Sequence, residues 1–139
     1  FTQYFGTDEV DAALLQLPQV GFCAPDDPRM LATVDRIERE LMPDGFVLRY
    51  RAETGVDGVP GTENPFLACS FWLVEQYART GRRADAEALM ERLLAVANDV
   101  GMLSEEYDPV AKRQAGNTPQ ALTHLALIRA ADALAGSLP

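Results

Sequence analysis

Two stretches of the chain set acidic, basic and aromatic residues in matching positions. Gly45-Phe46-Val47-Leu48 leads into Arg49-Tyr50, and Gly101-Met102-Leu103-Ser104 leads into Glu105-Glu106-Tyr107. Each then crosses a polar loop to a proline, Pro65-Phe66-Leu67-Ala68 in one case and Pro119-Gln120-Ala121-Leu122 in the other. The glycines and the prolines both recur after about 55 residues, a period that suits a helical hairpin plus a working loop. A carboxylate can take up a proton, a guanidinium fork suits paired oxygens, and a tyrosine ring can stack or brace. Equivalent loops of a hairpin array emerge at one end, so Arg49, Tyr50, Glu105, Glu106 and Tyr107 make a candidate site at one rim.

Each of these residues also has a plainer reading. A single Glu is usually a solvated loop acid, and the repeat is what raises Glu105 above that. Glu106 divides evenly between ligand contact and surface. Arg49 could instead hold a salt bridge to a loop acid, since such pairs form cheaply. Tyr50 and Tyr107 could stack on a ligand, but bracing the loops from behind is favoured. Trp72 lies in an apolar run and belongs to the core. His124, the one histidine, has no Cys or carboxylate at ligand spacing, so it packs and hydrogen-bonds and no metal is assigned. Asp57-Gly58 is a turn signal first.

Five segments read as the helices that must position this rim. The first runs from Asp8 to Leu17 with Thr7 as N-cap and Pro18 as stop. The second runs from Pro28 to Met42, capped by Asp27, with Met30, Leu31, Val34, Ile37 and Leu41 on one face. The third, from Pro65 to Gly81, is apolar nearly all round and must be buried on most sides. The fourth covers Arg83 to Asn98, with Leu89, Leu93, Leu94 and Val96 inward. The fifth covers Pro119 to Ala135, with Thr118 as cap. Amphipathic second and fourth helices alternate with apolar third and fifth ones, as two concentric layers of hairpins would require. No strand pattern is convincing. The fold class read from these elements is all-α.

Composition narrows the partners. The 139 residues, 47% hydrophobic and 24% charged, suit one globular domain or a piece of a larger one. The net charge of -9 with only 12 scattered basic residues argues against nucleic acid and anionic membrane. Cys23 and Cys69, the only cysteines, fit no metal or redox spacing, and Cys69, inside an apolar run, reads as a buried free thiol. No apolar run reaches the ~18–20 residues of a membrane span. The chain opens on Phe1 rather than Met, which reads as trimming from a longer parent. A cytoplasmic location is the working expectation.

Six segments, taken in order, resemble glycoside hydrolase family 15, which includes glucoamylase, glucodextranase and trehalase-like enzymes. They are Val20-Gly21-Phe22 with Asp26-Asp27-Pro28-Arg29; Leu48-Arg49-Tyr50-Arg51; Asp57-Gly58-Val59-Pro60-Gly61; Phe66-Leu67-Ala68-Cys69-Ser70-Phe71-Trp72; Leu103-Ser104-Glu105-Glu106-Tyr107-Asp108; and Gly116-Asn117-Thr118-Pro119-Gln120-Ala121-Leu122-Thr123-His124. No one of these is specific, but their order and spacing are. The resemblance implies an (α/α)6 barrel of six helical hairpins, of which this chain would be the C-terminal portion. It also implies hydrolysis of α-glucosidic bonds with inversion, which needs an acid for the leaving oxygen and a carboxylate for the attacking water, roughly 6.5–9.5 Å apart.

By this resemblance Glu105 is the general base and Arg49, Tyr50 and Glu106 contact the sugar. The family's acid has no counterpart here and is expected on an earlier hairpin. Glu106 stands where members often carry Gln, and Leu122 and Thr123 stand where the pattern has Phe and Ser. The implied substrate is a small carbohydrate: an α-glucoside, a malto-oligosaccharide or trehalose. No cofactor is expected. The missing N-terminal part of the barrel is the expected partner, and alone the chain should be inactive and should self-associate through apolar faces at Phe1 to Leu17, Phe71 and Leu125. Were it active alone, Glu63 and Asp108 would be the first candidates for a second carboxylate. The alternatives are a helical-repeat interaction module without catalysis and a sugar-binding remnant without chemistry.

Overall fold

A computed structural model of the chain describes residues 1–51 and 63–137. Among them lie a 3-10 turn at Ala12–Gln16, helices α1 (Pro28–Leu41), α2 (Leu67–Arg79), α3 (Arg83–Leu94) and α4 (Ala121–Leu134), and two short strands, β1 (Glu106–Asp108) and β2 (Arg113–Ala115). The Asp57-Gly58-Val59-Pro60-Gly61 segment lies outside the described residues.

The helix expected from Asp8 is only a 3-10 turn, capped by Asp11 rather than Thr7. Asp11 is extended and its carboxylate accepts the Ala13 N–H at 2.7 Å. Thr7 instead accepts from Glu9 N at 3.1 Å, while Gln3 N donates to Glu9 O at 2.8 Å. The Ala12 N–H goes to the carbonyl of Arg49 at 2.8 Å. That long-range bond ties the amino-terminal segment to the site loop and overrides local helix propensity.

Helix α1 forms as its sequence directs. The Asp27 carboxylate accepts the Arg29 N–H at 2.8 Å and Pro28 takes a first-turn position where no donor is lost. Met30, Val34, Ile37 and Leu41 are buried, but Leu31 turns outward and is 39% exposed. Every residue of α2 from Leu67 to Tyr77 is buried, because α3 packs on one side of it and α4 on another. Phe71 is therefore fully enclosed within this chain, contrary to the expectation that it would be bare. Trp72 joins the same core. The α2–α3 turn, Thr80-Gly81-Arg82, reverses the chain through Gly81 at φ +80°, a conformation that costs glycine nothing.

Helix α3 stops at Leu94, short of the expected Asn98. It buries Ala86, Leu89, Met90 and Leu93 and leaves Leu94 exposed. Helix α4 begins at Ala121 rather than Pro119 and buries only Thr123, Ala126 and Ala130. Leu122, Leu125 and Ile128 are 45–60% exposed, as expected of the apolar face at Leu125. Thr118 does not cap it; its hydroxyl bonds Gly116 O at 3.3 Å, the Thr118–Pro119 bond is cis, and the N-cap is Gln120. What holds α4 on α2 is polar as well as apolar. Glu75 of α2, 3% exposed, accepts from Arg129 at 2.8 and 3.1 Å and from Gln19 at 2.8 Å.

The strand pair is a structural element the sequence pattern did not reveal. Antiparallel β1 and β2 pair Glu106 with Ala115, Tyr107 with Gln114 and Asp108 with Arg113. Three-residue strands are too short to establish an alternation. Their turn is fixed by the Asp108 carboxylate, which accepts the N–H groups of Val110 (3.0 Å) and Ala111 (2.9 Å). The fold is otherwise helical, as read.

Candidate active site

Glu105 stands immediately before β1 on a backbone held from several sides. Its N–H donates to Asn117 O at 2.9 Å and its carbonyl accepts the Leu67 N–H at 2.9 Å. On the preceding residues, Leu103 N donates to His124 Nε2 at 3.1 Å, and Leu103 O accepts from Gln120 N at 3.0 Å. The carbonyl of buried Ser104 accepts the Thr123 hydroxyl at 3.0 Å, while the Ser104 hydroxyl donates to Glu106 O at 2.5 Å. A carboxylate on so constrained a main chain is presented in one place, which is what proton transfer requires of it.

The Arg49 loop reaches the same edge through a shared extended segment, Pro65 to Leu67. Phe66 N donates to Val47 O at 3.0 Å on one side. On the other, Tyr107 N donates to Pro65 O at 3.1 Å and Phe66 bridges to Glu106. The two members of the internal repeat are thus joined by main-chain bonds, with Arg49 and Glu105 carried on segments flanking one strand-like connection.

Side chains along this edge are interlinked. The Arg49 guanidinium pairs with Glu63, donates to the Tyr50 hydroxyl at 2.7 Å, and lies 4.6 Å from the Tyr50 ring centroid. The Tyr50 hydroxyl reaches Glu63 at 3.3 Å. The salt bridge weighed for Arg49 therefore exists, with Glu63 as its acid, and nearly half of the Arg49 side chain still faces solvent. Tyr50 is 8% exposed, so its ring braces the arginine. Tyr107 braces too, tilted against Phe46 at 5.3 Å between centroids. Glu106 accepts from Asn64 Nδ2 at 3.2 Å, which connects it to the residue after Glu63.

Both candidates for a second carboxylate are committed to other contacts: Glu63 to Arg49, and Asp108 to its turn and, at 3.8 Å, to Arg113. His124 hydrogen-bonds as expected, and what residue types alone left unassigned is that it and Thr123 support the segment before Glu105. The signal was present in the sequence, since both follow Pro119 in the second member of the repeat. Their role as supports for Leu103 and Ser104 depends on a tertiary contact. Among the described residues no group of three or more His, Cys, Asp or Glu could hold a metal, and no helix is long and apolar enough to cross a membrane.

The chain is similar to known proteins in sequence and in fold. The chain is 48% identical over 129 residues to a trehalase of Mycolicibacterium smegmatis, covering 93% of this chain and 19% of that protein. It is 43% identical over 139 residues to a trehalase of Thermoplasma volcanium, covering 99% and 22%. The chain thus spans about a fifth of the length of these relatives. Among solved structures, a wild-type glycosidase superposes with a TM-score of 0.77 at 26% identity, over 96% of this chain and 38% of that one. A glycosidase variant in complex with glucose superposes at 0.78 and 25%, with the same coverage. With the Glycosyl hydrolases family 15 model matching residues 1–132, and with the helical layers and motif order already described, the chain belongs to that family.

Proposed function

We propose that this chain is the C-terminal part of the catalytic barrel of an inverting glycoside hydrolase, and that it supplies the general base, Glu105. The substrate is a small α-glucoside, with trehalose favoured because the similar full-length proteins are trehalases. The observation that carries the reading is the multiply anchored backbone of Glu105, on an edge shared with a partly exposed guanidinium.

In this reading Glu105 takes a proton from water as the oxygen attacks the anomeric carbon from the face opposite the leaving group. The acid that protonates the leaving oxygen comes from the remainder of the barrel, at a separation that admits the water. Arg49, steadied by Tyr50, holds sugar hydroxyls with its fork, and Glu106 accepts from another hydroxyl. The chain's net charge of -9 suits a neutral sugar and opposes an anionic one.

The test is Glu105→Gln in the full-length protein, assayed on trehalose and on maltose. Loss of the proton acceptor should lower kcat by about 10²–10⁴-fold and leave KM nearly unchanged, because the lost interaction belongs to the transition state. Unaltered turnover would overturn the assignment.

A further inference from the structure

The Glu105 carboxylate is held from below by a second piece of chain, Gly116-Asn117, at the end of β2. Asn117 donates its backbone N–H to Glu105 Oε2 at 3.1 Å, while Glu105 N donates to Asn117 O at 2.9 Å. The two residues therefore exchange bonds, one through main chain alone and one through the carboxylate. Among the described residues Oε1 accepts no hydrogen bond.

Gly116 is what permits this closeness. It has φ +72°, and a Cβ there would lie 2.8 Å from Glu105 Oε2 and 2.9 Å from Glu105 Cβ. The first contact could be relieved by swinging the carboxylate away. The second could not, because Glu105 Cβ is fixed to a backbone anchored on both sides. A side chain at 116 must therefore push the Gly116-Asn117 backbone, and with it the Asn117 amide, away from Glu105.

We propose that Gly116 and the Asn117 amide are the positioning element of the general base. The bare glycine lets the amide approach, and the amide fixes Oε2 so that Oε1 is the oxygen turned to the water. This rests on Glu105 being the base, and the experiment separates the two claims.

In the full-length protein, Gly116→Ala should lower kcat about 10- to 100-fold, the scale expected for a catalytic group misplaced by about 1 Å. KM should stay within about 2-fold, since the change lies beneath the base rather than at the sugar. Gly136→Ala is the matched control: Gly136 has φ +70° with nothing within 4 Å of a Cβ, so it imposes similar backbone strain away from Glu105.

A Gly116→Ala enzyme with wild-type kcat, alongside an inactive Glu105→Gln enzyme, would overturn the positioning role and leave the base standing. An active Glu105→Gln enzyme would remove the base instead. If Gly116→Ala fails to fold, the wild-type protein still decides the matter through the Asn117 amide resonance. That amide should exchange slowly with solvent in the wild type and faster in Glu105→Ala, which removes the accepting carboxylate. An Asn117 amide that exchanges equally fast in both proteins would refute the clamp.

Discussion

His124 Nε2 accepts the backbone N–H of Leu103 at 3.1 Å, which makes the chain's one histidine a support for the segment that leads into Glu105. To accept, that nitrogen must carry its lone pair, so the ring proton sits on Nδ1. His124→Leu should leave the Leu103 N–H without a partner and cost about 1–3 kcal/mol. Denaturant unfolding of the full-length protein reads the loss, and hydrogen exchange should show the Leu103 amide opening faster than in the wild type. Unchanged exchange at that amide would show that another contact carries the load.

Arg49 is the sharper test of the sugar-binding reading, because its alternative is visible in the structure. If it holds substrate, Arg49→Ala should weaken a glucose-like inhibitor of the full-length protein about 10-fold or more, the scale of a lost charged hydrogen bond. Arg49→Lys should recover only part, since a point charge cannot reproduce the fork. Glu63→Gln, which removes the partner acid but leaves the guanidinium, should affect inhibitor binding less than Arg49→Ala. Equal, small effects from all three changes would reduce Arg49 to its bridge with Glu63.

The sequence showed what depends on local composition and on long-period repetition. Helix α1 was legible from Asp27, Pro28 and its apolar spacing, and α2 from an unbroken apolar run that required burial. The alignment of Arg49-Tyr50 with Glu105-Glu106-Tyr107 followed from the repeat. What escaped was settled by bonds between distant segments. Ala12 N finds Arg49 O, so the first segment forms one 3-10 turn where Thr7 and Pro18 suggested a longer helix. The ribbon of β1 and β2 is three residues a side and is organised by Asp108 and its neighbours. The bare face at Leu125 was legible from an apolar helix with too few hairpins to cover it, whereas the extent of the row, from Leu122 to Ile128, depends on which neighbours α4 has. The Gly116–Glu105 contact is tertiary in the same way: a glycine in a loop suggests a turn, and only the fold shows that its missing Cβ leaves room for a carboxylate.

The last prediction concerns pH and the junction of α1, α2 and α3. Glu38 of α1 accepts from Arg82 at 2.8 and 3.0 Å and from the Tyr77 hydroxyl, with the Arg82 guanidinium 4.1 Å from the Tyr77 ring centroid. Partial burial acts to raise the Glu38 pKa, but the bonds from Arg82 and Tyr77 outweigh it and hold the carboxyl below its usual 4.5. Burial and the same carboxylate push the Tyr77 phenol well above its ordinary range. A carboxylate depressed in the folded state stabilises the fold fully above its unfolded value, and this is lost as pH falls through the folded value. Stability should therefore decline on acidification below about pH 4.5, with Glu38 as one contributor. Glu38→Gln should cost about 1 kcal/mol at neutral pH, a modest figure because the pair is partly solvated. It should also reduce the slope of Tm against pH between about pH 5 and 3, since the neutral side chain no longer takes up a proton on unfolding. Tyr77→Phe removes one of the two stabilising partners and should shift the acid loss to slightly higher pH without abolishing it. A Glu38→Gln protein whose Tm falls with acid as steeply as the wild type would show that other carboxylates govern the acid limb.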